Sequence, residues 1–132
     1  ALMARLRTQA DLRPALERCV LTGEFDRGTA IALEGKLAPL LARPDIAPFF
    51  NATGQVFTEY TLVDANGGAH RPDRVVEHAG ITHVLDIKTG HPSEHHHQQV
   101  RTYMRLLSGI NGSATTGHLL YLGTGTLEPV EA

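Results

Sequence analysis

His70-Arg71-Pro72-Asp73-Arg74-Val75-Val76-Glu77, then Ala79-Gly80, then Ile81-Thr82-His83-Val84-Leu85-Asp86-Ile87-Lys88-Thr89-Gly90, is the stretch that decides the fold. Both halves are rich in β-branched residues, and a turn pair separates them. They read as an antiparallel hairpin with strands over 70–77 and 81–88. A turn centred between 79 and 80 sets Asp73 opposite Asp86. Residues two apart on a strand share a face. Asp86 and Lys88 therefore point one way, and Leu85 and Ile87 the other.

Outward from the hairpin, Val56 to Val63 reads as a preceding strand, closed by the turn Ala65-Asn66-Gly67-Gly68. Downstream, Thr89 to Ser93 is a loop, and Ser93 or Glu94 starts a helix to about Leu107 with Val100, Met104 and Leu107 on its core stripe. A Gly/Ser/Asn loop over 108–116, a strand over 119–122, and a short last strand near 127–130 follow. At the N-terminal end, Asp11 is the expected N-cap of a helix over 12–21, and Gly23 its C-terminal stop. A second helix runs from Gly28-Thr29 to about 42, with Pro39 expected to kink or split it, and a turn from Pro44-Asp45 ends near Phe49-Phe50. The order α-α-β-β-β-α-β predicts an α/β fold: a small mixed sheet flanked by helices.

The 132 residues suit one domain with one core, so 1–132 reads as a single domain. The formal charge of −2 means that any nucleic-acid contact rests on local basic patches or on neighbouring domains. A single cysteine, Cys19, excludes an internal disulfide and a Cys-based zinc site, and suits a reducing compartment such as the cytoplasm. No apolar run approaches the roughly 20 residues of a membrane span. The opening Ala1-Leu2-Met3-Ala4 suggests a domain excised from a longer chain.

Two carboxylates placed as cross-strand neighbours repel unless a cation lies between them. Oxygen ligands favour Mg²⁺ or Mn²⁺. Asp73 and Asp86 are thus the candidate ligands, with the Ile87 backbone carbonyl as a third donor and Glu59 as a further acid. Lys88 is suited to orient an attacking water or to balance charge on a phosphate. By itself an Asp-x-Lys is a common surface ion-pair pattern. The run His95-His96-His97 does not chelate one ion readily, because consecutive helical positions splay around the axis by about 100°. Gln99 and Tyr103, four apart, share a helix face.

Pro72-Asp73, with Asp86-Ile87-Lys88 beginning thirteen positions after Asp73, resembles the PD-(D/E)XK nuclease signature. Asp86-Ile87-Lys88-Thr89-Gly90 followed by Gln99-x-x-x-Tyr103 resembles its RecB-like branch. The resemblance covers about residues 56–123. It implies a restriction-endonuclease-like core and metal-dependent hydrolysis of DNA phosphodiester bonds, exonucleolytic and serving repair or recombination. It also implies Mg²⁺ or Mn²⁺ as cofactor. Asp73, Asp86, Lys88, Glu59, Gln99 and Tyr103 are the implied catalytic set, with Asp73, Asp86 and Ile87 on the metal. Domains of this kind sit at the C-terminal end of UvrD-like helicases of the exonuclease V or AddA type. The expected partners are therefore DNA, helicase domains of the same chain and a partner subunit. The alternative is a nuclease-fold module that is catalytically inactive and binds DNA or scaffolds a repair complex. One departure stands out: the branch usually carries a metal-ligating His on its first helix, and no His occurs between Ala1 and Asn51.

Overall fold

In the computed structural model, which describes residues 2–51 and 54–132, the chain forms two compact units, Ala1–Ala52 and Thr53–Ala132. No described helix is long and apolar enough to cross a membrane.

The N-terminal unit is a helical hairpin. Helix α1 spans Leu12–Leu21 and buries Leu12, Ala15, Leu16 and Cys19. Asp11 does cap, but one turn earlier than expected. Its Oδ2 accepts from the Thr8 and Arg7 N–H groups at 2.9 Å each, closing a short 3-10 turn ahead of the helix. Gly23, at φ +80, makes the stop. Helix α2 spans Arg27–Ala42, and its cap is Asp26, whose Oδ1 accepts from Thr29 N–H at 2.7 Å. Pro39 lies within the helix, which runs through it unbroken. Pro39 is exposed, so the amide bond it cannot make is on the solvent side.

The C-terminal unit carries the candidate site. Its strands are β1 (Gln55–Thr58), β2 (Leu62–Val63), β3 (Ala69–His70), β4 (Arg74–His78), β5 (Ile81–Lys88), β6 (Ala114–Tyr121) and β7 (Thr126–Val130), with helix α3 over Glu94–Asn111 between β5 and β6. The main sheet is ordered β1-β4-β5-β6-β7. β5 and β6 are parallel, joined by α3 as a crossover helix, and the other pairs are antiparallel. The class is α/β with a mixed sheet, as the element order implies.

Three elements of this unit differ from the sequence expectation. The expected strand over 56–63 is cut after Thr58, because Glu59 turns into the left-handed region at φ 52. The expected strand over 70–77 is cut between His70 and Arg74, where Pro72 has no N–H to give to a ladder. The excised pieces pair as a separate two-stranded ribbon, β2–β3, closed by Asp64, whose Oδ1 accepts from Asn66 and Gly68 N–H at 2.9 and 2.8 Å. Helix α3 also runs past Leu107 to Asn111, and the stretch expected as a loop to 116 becomes its last turn and the start of β6. The stop is Gly112 in the left-handed region, with its N–H on Ser108 O at 2.9 Å. Asn111 Nδ2 ties that last turn to Thr82 Oγ1 at 3.0 Å.

Val75, Val84, Leu119 and Tyr121 on one sheet face pack with Val100, Tyr103, Met104 and Leu107 of α3. The helix lies close to β6 because position 117 has no side chain. A Cβ on Gly117 would meet Met104 Sδ at 2.5 Å and Val100 Cγ1 at 2.6 Å.

Candidate metal and phosphodiester site

The β4–β5 register pairs Arg74 with Leu85, Val75 with Val84, and so on to His78 with Ile81. Ala79 (φ 53) and Gly80 (φ 78) make the two-residue turn. Extended by one position, this register faces Asp73 with Asp86, as the hairpin reading requires. Two bonds lock the pair: Asp73 N–H donates to Asp86 Oδ1 at 3.3 Å, and Ile87 N–H donates to Asp73 Oδ2 at 2.7 Å.

Asp86 is 2 % exposed. A buried carboxylate is costly without compensation, and the compensation here is Lys88 Nζ, 2.8 Å from Asp86 Oδ2. That oxygen receives no hydrogen bond of good geometry among the described residues. The contact is thus coulombic, and the directed hydrogen bond of the ammonium goes to Gln99 Oε1 at 2.7 Å. Burial and the adjoining Asp86 carboxylate push the Asp73 carboxyl up to about 7. The Ile87 N–H and the Lys88 charge work against that rise. Two carboxyls side by side, one buried and one half-buried, must share the site with a proton or a cation.

Helix α3 closes the site from above the sheet. Tyr103 is buried, and its phenol is pushed up to about 12, first by burial and then by the negative charges of Asp86 and Asp73. Its hydroxyl is hydrogen-bonded with Gln99 and with the main chain of Arg71. Asp73, Asp86, Lys88, Gln99 and Tyr103 are therefore brought into one cluster.

Glu59 joins differently. Its N–H donates to Asp73 O at 3.1 Å and its carbonyl accepts from Arg71 Nε at 3.2 Å, while the residue itself is exposed. Its main chain is part of the site wall. Among the described residues no group of three or more His, Cys, Asp and Glu side chains is arranged to hold one ion. The carboxylate donor set is Asp73 and Asp86. Ile87 gives its N–H to Asp73, and an extended residue turns its N–H and C=O to the same side, so the Ile87 carbonyl faces the same strand edge.

One neighbour was missed by the sequence reading. His96 Nδ1 lies 3.0 Å from the Tyr121 hydroxyl, and Tyr121 is paired with Lys88 across β5–β6. The signal was present: His96, Gln99 and Tyr103 fall at i, i+3 and i+7 on one helix face. His97 instead reaches Glu128 of β7 at 3.0 Å, so adjacent histidines part to different partners.

No protein-family model matches the chain, and no curated protein matches it. Among solved structures, one titled "Crystal structure of SSO0001" is similar at a TM-score of 0.43 and 14 % identity, over 98 % of this chain and 65 % of that one. The chain thus spans just under two thirds of that protein's length.

Proposed function

We propose that the C-terminal unit is a metal-dependent deoxyribonuclease site that hydrolyses DNA phosphodiester bonds, as part of a larger helicase-nuclease acting in repair or recombination. The single observation that carries this reading is the facing pair Asp73–Asp86, with Lys88 held between Asp86 and Gln99. The donor set suits a hard divalent cation: a buried Asp86 oxygen lacking a well-aligned hydrogen bond, beside a carboxyl raised by burial and by its carboxylate neighbour. Asp73, Asp86 and the Ile87 carbonyl would hold Mg²⁺ or Mn²⁺, which supplies Lewis-acid polarisation of a phosphate and a more acidic water. Lys88 neutralises the non-bridging oxygens of the phosphate and orients the attacking water. Gln99 fixes the ammonium, and Tyr103 holds Gln99 and the Arg71 main chain against the pair.

Cleavage of labelled single- and double-stranded DNA by the protein that carries this unit tests the reading. Activity that requires Mg²⁺ or Mn²⁺ and falls by roughly 10³-fold or more in Asp86→Ala and Lys88→Ala is expected. Equal rates in parent and variants would sink it.

A second reading has an observation of its own. Lys88 Nζ lies 2.8 Å from Asp86 Oδ2, so the chain itself supplies part of the neutralising charge. On that reading the unit binds DNA or scaffolds a complex without cutting. Calorimetric titration separates the two: no heat at millimolar Mg²⁺ or Mn²⁺ favours the scaffold.

A further inference from the structure

Near the last turn of α3 the covered face of the sheet changes character. Val75 and Val84 pack in the core beneath the helix, and two residues further along each strand, on the same face, come Glu77 and Thr82. The registers pair Gln55 with Glu77 and Glu77 with Thr82, so these three form a polar row across β1, β4 and β5. Thr82 is buried, and its hydroxyl oxygen accepts from Asn111 Nδ2 at 3.0 Å. The Asn111 side-chain oxygen in turn accepts from Ser113 N–H at 3.0 Å. Glu77 is different. It is half-buried, and among the described residues its carboxylate has neither a hydrogen bond nor an ion pair.

The row opens into a cleft of about 330 Å³ at the β4–β5 turn, lined by Gln55, Glu77, Ile81, Thr82, Asn111 and Ser113 together with the turn itself. That volume is at the low end for ligand clefts, room for a single side chain. The charge of the cleft is one-sided. None of the described residues that line it is Lys or Arg, and its one weak base, His78, is exposed. The end of α3 adds to this: its last carbonyls carry the negative end of the helix dipole, and its last turn has no basic residue.

A carboxylate without a partner, among neutral oxygens and with no cation in reach, selects a positive ligand. One carboxylate is too few for a hard divalent ion, which gathers several charged oxygens. A guanidinium fits better: its planar fork meets a carboxylate with two parallel bonds and keeps donors for neutral oxygens. Apolar surface for an alkyl stem is present as well. Ile81 in the cleft is 37 % exposed, and Ile110, next to Asn111 in the chain, is 63 % exposed. Exposed apolar residues around a pocket for arginine have the make-up of a protein interface, where arginine anchors are enriched.

We propose that this cleft receives an arginine side chain of a partner protein, with the guanidinium on Glu77 and Gln55 and the stem on Ile81. Glu77 is four strand residues from Asp73, roughly 13 Å. The cleft is therefore separate from the carboxylate pair, and the proposal stands apart from the nuclease reading.

The test is a titration of the isotope-labelled protein with capped pentapeptides, followed by the NMR amide signals of Gln55, Thr82 and Asn111. The probes carry arginine, lysine or citrulline between alanines; citrulline keeps the shape of arginine and lacks its charge. Salt at about 0.15 M screens charges more than about 8 Å apart, so only close contacts are read. The arginine peptide should move these signals saturably, with a Kd on the order of millimolar for so small a ligand. The citrulline peptide should bind about 10- to 100-fold more weakly, the range of a charged hydrogen bond. Glu77→Gln should weaken the arginine peptide by a similar factor, and Gln55→Ala by roughly 2- to 10-fold. The peptide-free spectrum of each variant checks its fold; should Glu77→Gln fail to fold, Gln55→Ala and the citrulline peptide decide. No saturable movement with the arginine peptide, equal binding of the citrulline peptide, or unchanged affinity in the folded variants would overturn the proposal. A lysine peptide bound as tightly as the arginine one would overturn the assignment to a guanidinium.

Discussion

Replacing Asp73 by Asn removes one ionisable group and leaves the shape. Asn Oδ1 can still accept the Ile87 N–H that Asp73 Oδ2 accepts at 2.7 Å. What changes is charge. The Asp73 carboxyl is raised from 3.8 to about 7, by burial and then by Asp86. Between those values the native chain holds a proton that the unfolded chain has released, so stability falls as pH rises through that window and levels off above about 7. At about 1.4 kcal/mol per tenfold change the full shift corresponds to about 4 kcal/mol. Asp73 is partly open to water, which reduces the loss to about 2–3 kcal/mol, or roughly 10 °C in Tm for a chain of this size. On the proposed metal reading, a divalent cation would replace the proton. Metal at about 100 times its Kd would return about 2.7 kcal/mol. Thermal melts at pH 5 and pH 8, with and without Mg²⁺, read all of this. In chelator the parent should melt well below its pH 5 value at pH 8, and Mg²⁺ should restore it at pH 8 with little effect at pH 5. Asp73→Asn should remove most of the pH dependence in this window and all of the Mg²⁺ response. A variant whose pH profile and Mg²⁺ response parallel the parent's would refute the placement of the raised group at Asp73 and of the cation beside it.

Other substitutions test the scaffold. Lys88→Met leaves the buried Asp86 oxygen without its ammonium, and chemical denaturation should report a loss of about 2–4 kcal/mol in chelator at pH 8; no loss would mean that the ion pair does not form. Gly117→Ala forces Cβ onto Met104 and Val100, and should cost about 1–3 kcal/mol by urea titration. Because α3 is pushed outward with Gln99 and Tyr103, DNA cleavage should fall as well; an isostable, fully active variant would argue against the close approach. Ala79→Asn places a residue suited to φ > 0 in the β4–β5 turn and should stabilise by up to about 1 kcal/mol, read as a raised urea midpoint. A lowered midpoint would contradict the turn geometry.

Much of this protein is written locally. The strand Ile81–Lys88, the turn at Ala79-Gly80, the helix Leu12–Leu21 and the core stripe Val100, Met104, Leu107 are legible from period and turn chemistry, because each depends on neighbours within a few residues. The hairpin register is legible for the same reason: a two-residue turn leaves one alignment, and that alignment faces Asp73 with Asp86. The side of β5 that carries Asp86 and Lys88 follows from the pleat. The break at Glu59 could not be read, since Val56 to Val63 is a good strand by propensity. It breaks because Asp73 O and Arg71 claim its main chain across fourteen and twelve positions of sequence. The length of α3 was hidden likewise: Ser108 and Gly109 look like loop residues until Gly112 and the Asn111–Thr82 bond hold the turn. The sequence alone determined which side chains share a face and which carboxylates meet, since alternation and turn length are short-range geometry. Only the tertiary structure decided that Lys88 reaches Gln99, that Asp73 is half-buried against a second carboxylate, and that the chain leaves the sheet at Glu59. Those are matters of burial and of contacts between elements far apart in the chain, where the low-dielectric surroundings and the partner atoms are supplied by the fold.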